Sequence, residues 1–203
     1  MKGFLAFLLL NFSTLIFSQS NYYLKPVEHP LFSNLSSDYY YLIRATLVRN
    51  DNPTLALLKT SHLPESILYV SHDLNDGKYY LNFKVAKKSI WEKYYNNSKK
   101  KIEVDSLKKR IENESYELLK ELFDFNLNQT KFDPNYEHYF DGEQYLFHCE
   151  RKTGNIEAVA EDSDVAKTIK ICEKIIGLLK SSNSHQFNIP NDIQSEIKRI
   201  IKK

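Results

Sequence analysis

The chain has 203 residues, 42% of them hydrophobic, with 28 Lys and Arg set against 26 Asp and Glu. That length suits one domain able to bury its own core without a disulfide or metal staple. A formal net charge of +2, with both signs scattered along the chain, gives no field suited to a nucleic-acid partner.

The first segment has the layout of a secretory signal peptide. Lys2 precedes an apolar run from Phe4 to Phe17, softened by Asn11, Ser13 and Thr14, and the small residue Ser18 stands before polar Gln19, Ser20 and Asn21. Roughly 14 residues at about 1.5 Å each make a helix of about 21 Å, well short of the roughly 30 Å of hydrocarbon a spanning helix crosses. The expectation is a cleaved signal peptide over 1–18 and a mature domain over 19–203, periplasmic or secreted, with no membrane span after cleavage. No cysteine ends the apolar run, which argues against a lipid anchor.

Residues 19–37 read as an extended lead-in, because Pro26 and Pro30 each remove a backbone donor and push the preceding residue out of helical geometry. Tyr39 to Val48 fits a strand or a helix, and periodicity does not decide between them. Asp51, Asn52 and Pro53 make a turn, and the next element predicted is a strand over Ile67–Ser71. Tyr79–Val85 alternates well enough to pair with it as a hairpin, with Asn75, Asp76 and Gly77 as the turn. Ser89 to Tyr95, with the only tryptophan, Trp91, reads as a helical turn. From Val104 to Leu127 the spacing of Leu107, Ile111, Leu118, Leu122 and Phe125 predicts one long helix, with Lys108, Lys109, Glu112 and Glu121 facing water.

Three short strands follow, Tyr136–Phe140, Gln144–Glu150 and Asn155–Ala160, joined at Asp141-Gly142 and at Thr153-Gly154-Asn155. Asp162 or Ser163 then caps a helix to about Leu179, with Val165, Ile169, Cys172, Ile176 and Leu179 as its buried stripe. A short amphipathic helix over 190–203 ends the chain, carrying Ile193, Ile197, Ile200 and Ile201 on one side. The fold class expected is therefore α+β: an antiparallel hairpin and meander sheet covered on one face by two long helices, plus the C-terminal helix.

Chemistry is sparse. The mature segment has four glycines, Gly77, Gly142, Gly154 and Gly177, and none belongs to a phosphate loop, a dinucleotide fingerprint or a nucleophile elbow. No two histidines have helical i, i+4 spacing, and His62, His72, His138 and His148 read as surface residues, so no metal or cofactor is expected. Asp73, Asn75, Asp76 and Gly77 have a passing calcium-loop look, but a plain turn accounts for them. Glu157, Glu161, Asp162 and Asp164 sit where a helix begins and read as capping acids. Lys99 to Lys101 with Lys108, Lys109 and Arg110 form the densest basic region, read as a solvated face.

Two features remain. His148 and Cys149 are adjacent on a strand and should face opposite ways, which argues against a catalytic dyad. Cys149 should instead share a layer with Cys172, where an oxidising compartment would allow a disulfide. Tyrosines come in runs, at 22–23, 39–41, 79–80 and 94–95, and consecutive strand residues cannot both enter one core. Tyr39, Tyr40, Tyr41, Tyr79 and Tyr80 are accordingly the expected binding residues, since tyrosine offers rigid amphipathic contact area. With no catalytic residues assigned, the sequence favours an exported binding or interaction protein, of inhibitor or immunity type, with a protein or carbohydrate partner. The alternative is a small secreted hydrolase with a dispersed active site.

Overall fold

The computed structural model describes residues 23–27, 38–60, 64–131, 143–157 and 159–202. The signal-peptide segment, most of the extended lead-in, the strand Tyr136–Phe140 with its Asp141-Gly142 turn, His62 and His138 lie outside them. The fold is mixed α+β, built on one eight-stranded sheet. Its strands are β1 (Lys25–Pro26), β2 (Pro53–Thr60), β3 (Ser66–Asp73), β4 (Lys78–Ala86), β5 (Val104–Ile111), β6 (Gln144–Cys149), β7 (Lys152–Glu157) and β8 (Gln186–Phe187). Their spatial order is β1-β7-β6-β2-β3-β4-β5-β8. Among the described residues five α-helices accompany them: α1 (Asp38–Ile43), α2 (Ile90–Tyr95), α3 (Asn113–Asn128), α4 (Asp164–Ser181) and α5 (Asn191–Ile201).

Central strand β2 is absent from the sequence reading. Leu55-Ala56-Leu57-Leu58 is apolar on both faces, as a strand sandwiched between two layers must be, so it lacks the alternation that marks a half-exposed strand. Pro53 opens this strand rather than closing a turn; the first strand position tolerates its missing donor. The hairpin of β3 and β4 forms in register from Asp73↔Lys78 to Ser66↔Val85. Gly77 turns it with φ 67°, a backbone conformation that favours glycine.

The helix expected over Val104–Leu127 is half strand. Leu107 and Ile111 are four apart, a spacing that puts residues on one face in a helix and also in a strand. Pairing with β4 from Tyr79↔Ile111 to Ala86↔Val104 settles residues 104–111 as β5, and the helix α3 begins only at Asn113. Lys109, expected to face water, is buried: its stem lies along the core and its ammonium donates to the Ser182 carbonyl.

The turn between β6 and β7 also moves. Glu150, at φ 54°, and Arg151 make it, whereas Thr153, Gly154 and Asn155 lie within β7. Gly154 is a packing residue: a Cβ there would stand 3.0 Å from Leu24 Cβ and 3.2 Å from Leu127 Cδ2 and Thr130 Cγ2. Pro26 pairs with Gly154, fastening β1 to the sheet margin. The antiparallel expectation fails at the opposite margin, where β8 pairs parallel to β5 at Arg110↔Gln186 and Ile111↔Phe187.

Helices cover both faces, not one. Leu55, Leu57, Leu68, Val70, Leu81, Phe83, Phe147 and Ile156 meet α3, α4 and α5 in the larger core. The alternate positions Ala56, Leu58, Ile67, Tyr69 and Leu146 meet Ile43, Leu47 and Val48 on α1 and the π-helical turn after it, and Ile90 on α2. Tyr39–Val48 is thus helical, its apolar residues spent on this second core.

Ser163 caps α4, its hydroxyl accepting from Ala166 N–H at 3.0 Å, and Val165, Ile169, Cys172 and Leu179 are buried as expected. Cys149 and Cys172 share the larger core, yet both are free thiols, so the disulfide is not formed. The reason lies in the helix layer: α3 packs over β6 and β7 while α4 leans toward β5, and the Cys149 thiol meets Asp124 on α3. Burial pushes both thiols up to about 12, which keeps them protonated and unreactive in the folded state.

Candidate functional site: an aromatic ledge on the second face

Helices α1 and α2 lie side by side on the second face, and one buried acid joins them. Glu65, in the connection entering β3, is fully buried. Its carboxylate accepts from Ile90 N–H at 2.6 Å and from Trp91 N–H at 2.8 Å, two donors at the start of α2 that have no partner within the helix. The same carboxylate accepts from the Tyr39 hydroxyl on α1 at 2.8 Å. Ser89 completes the N-terminal cap, accepting from Glu92 N–H at 3.1 Å.

Four rings gather above this staple. Tyr39 meets Trp91 edge-on, with centroids 5.1 Å apart and planes at 86°. Tyr94 lies 5.9 Å from both Tyr39 and Trp91, tilted by 47° and 40°. Tyr40 leans on Tyr39 at 5.5 Å, and its hydroxyl donates to Gln144 Oε1 at 3.1 Å, which ties α1 to β6. Burial, then the Glu65 charge, holds the Tyr39 hydroxyl far above its ordinary range, and burial with Glu157 pushes Tyr40 up to about 12. The inner rings are therefore fixed, neutral supports. Tyr94, at the edge of the cluster, is 41% exposed, and two more tyrosines of the same helices face solvent: Tyr41 on α1, 66% exposed, and Tyr95 on α2, 78% exposed.

Of the five tyrosines expected to bind, Tyr39 and Tyr40 are inner members of this cluster, Tyr41 is exposed on the same helix, and Tyr79 and Tyr80 lie elsewhere. Tyr79 stacks on Tyr116 with centroids 3.8 Å apart and packs against the larger core. Tyr80 donates to Asp76 Oδ2 at 2.6 Å and lies under the Lys108 ammonium, 4.2 Å from the ring centroid. Sequence reasoning passed over Trp91, Tyr94, Tyr95 and Glu65 as site residues. The run Tyr94-Tyr95 next to the single tryptophan was the available signal; nothing local marks Glu65, because its partners come from two distant segments.

The other chemical candidates resolve into structure. His148 is buried, not at the surface, with Nδ1 3.1 Å from Thr153 Oγ1, and desolvation lowers its pKa to about 4. It faces the second layer, away from the core that holds Cys149, so the two form no dyad. Asp73 and Asp76 spend their carboxylates on the turn, accepting from Asn75 N–H and Lys78 N–H, each at 2.9 Å. Among the described residues no group of three His, Cys, Asp or Glu side chains is placed to hold a metal ion. A shallow cavity of about 190 Å³ opens between Tyr23, Asn126 and the start of α4. There Asn126 is already committed, donating to Leu122 O and Thr168 Oγ1 at 2.9 Å each.

Among the described residues no helix is long and apolar enough to cross a membrane. No family model, curated protein or solved structure matches this chain.

Proposed function

We propose that this is an exported binding protein, periplasmic or secreted, that engages a protein or carbohydrate partner through the ledge of Tyr41, Tyr94 and Tyr95. One observation carries the reading: exposed tyrosines are mounted on two short helices that a buried carboxylate locks together. Such rings lose little side-chain entropy on binding, since packing beneath them has already fixed their supports. An inhibitor or immunity protein has this requirement, a preformed surface and no reacting groups. Export rests on the leader-like segment over 1–18.

The test is retention of a partner. The chain from Gln19 to Lys203, immobilised and exposed to the envelope and secreted fractions of its native host, should hold a ligand that the triple variant Tyr41→Ala/Tyr94→Ala/Tyr95→Ala releases. Tyr41 and Tyr95 are exposed while Tyr94 also packs on Tyr39 and Trp91, so the variant should stay folded and lose about 1 to 2 kcal/mol in urea titrations. Equal retention by both proteins would count against the ledge. Intact mass of protein from the native host checks export separately: a mass beginning at Gln19 or within a few residues of it is expected, and a mass that includes Met1 refutes cleavage.

A further inference from the structure

The segment that builds half of the ledge is also the most one-sided in charge. Residues 87–101 hold six lysines, Lys87, Lys88, Lys93, Lys99, Lys100 and Lys101, against one acid, Glu92. The whole chain carries only +2, so the remainder is net negative and the cations are concentrated here. Lys87 is engaged by Glu103 and Asp105, at 3.1 and 3.5 Å. None of the other five is ion-paired among the described residues, and Lys88, Lys99, Lys100 and Lys101 are exposed.

The lysines lie on α2 and in the stretches that enter and leave it. Helix α2 closes at Asn96, Asn97 takes a left-handed φ of 47°, and Ser98 N–H bonds back to the Lys93 carbonyl at 3.0 Å. The chain therefore turns at the end of α2, and Lys99, Lys100 and Lys101 come four to six residues after Tyr95. Lys93 sits within the helix between Trp91 and Tyr94.

We infer that the ledge docks an acidic protein surface, tyrosines covering its apolar part and Lys88, Lys93 and Lys99 to Lys101 meeting its carboxylates. This rests on the binding reading and names the partner's chemistry. Two observations select a protein over other polyanions. The exposed ledge residues are tyrosines, each keeping a polar hydroxyl, and among the described residues the exposed large aliphatic side chain, Leu74, lies in the β3–β4 turn at the far end of that hairpin. Tyrosine ringed by cations is also the composition of a protein contact steered by complementary charge.

The full mature chain can be titrated with a random glutamate–tyrosine copolymer, an acidic aromatic polypeptide, and with polygalacturonate of matched charge. The copolymer should bind, weaken steeply with salt, and lose about tenfold in affinity in Tyr94→Ala/Tyr95→Ala and at least as much in Lys99→Glu/Lys100→Glu/Lys101→Glu. Binding of the copolymer that ignores the tyrosine substitutions overturns the inference, since charge alone would explain it. Polygalacturonate binding as tightly as the copolymer, or no binding of the copolymer, overturns it too. A partner retained from the native fractions separates the two readings: release by the tyrosine variant but not by the lysine reversal leaves the ledge standing and removes the acidic partner.

Discussion

The Glu65 carboxylate and the Tyr39 hydroxyl, 26 residues apart, meet at 2.8 Å beneath the aromatic ledge, and the same carboxylate closes the N-terminus of α2. One side chain thus sets the relative position of two helices too short to be stable alone, since isolated helices below about 12 residues are marginal in water. Replacing Glu65 by Gln keeps the volume but sets an amide N–H₂ against donors, so stability should fall by about 2 kcal/mol in urea titrations. Tyr39→Phe removes a single bond to a charged acceptor and should cost about 1.5 kcal/mol. Trp91 fluorescence, which reports the ledge directly, should change in Glu65→Gln; an unaltered spectrum and midpoint would show that the staple is not what holds α2.

His148 makes folding sensitive to acid. Its folded pKa is lowered from 6.5 to about 4 by burial, so the unfolded chain takes up the proton first as pH falls. The native state keeps this contribution above the unfolded value and loses it as pH drops toward the folded one, up to about 3 kcal/mol over that window. Unfolding free energies from denaturant titrations at about pH 7 and about pH 4.5 should therefore diverge more in the parent protein than in His148→Gln, by about 2 kcal/mol, with carboxylate contributions common to both. Equal divergence in the two proteins would place the acid sensitivity elsewhere.

Gly154 is held to glycine by space rather than by backbone conformation. In Gly154→Ala the new methyl meets Leu24 Cβ, so overpacking should destabilise the protein by about 1 to 3 kcal/mol. The damage should be local first: protection from hydrogen exchange should drop at Val27 N–H, which bonds Thr153 O, and at Lys131 N–H, which bonds Leu24 O.

Both thiols are buried with pKa values pushed up to about 12, which predicts no alkylation of the folded protein at neutral pH. Unfolding without reductant should release two modifiable cysteines. A count of zero under those conditions would mean that Cys149 and Cys172 are joined after all.

What the sequence determined by itself is the part that local signals encode. The turn chemistry of Asn75, Asp76 and Gly77 placed the β3–β4 hairpin, the Ser163 cap and its apolar stripe placed α4, and Pro190 with four isoleucines placed α5. Tyrosine runs pointed to Tyr39, Tyr40 and Tyr41, of which Tyr41 is exposed while Tyr39 and Tyr40 turn inward as supports. The tertiary structure decided everything that depends on a distant partner. Residues 104–111 became a strand because β4 offered a hydrogen-bonding edge, and a four-residue apolar spacing fits both periods. Residues 53–60 became the central strand because both faces found helices to cover them, which erases the alternation a reader looks for. Gly154 turned from a turn residue into a packing contact once β1 and α3 closed on it. Glu65 became the keystone of the ledge only when α1 and α2, separated by three strands of sequence, came to rest on the same face and presented it with two unsatisfied N–H groups and a hydroxyl.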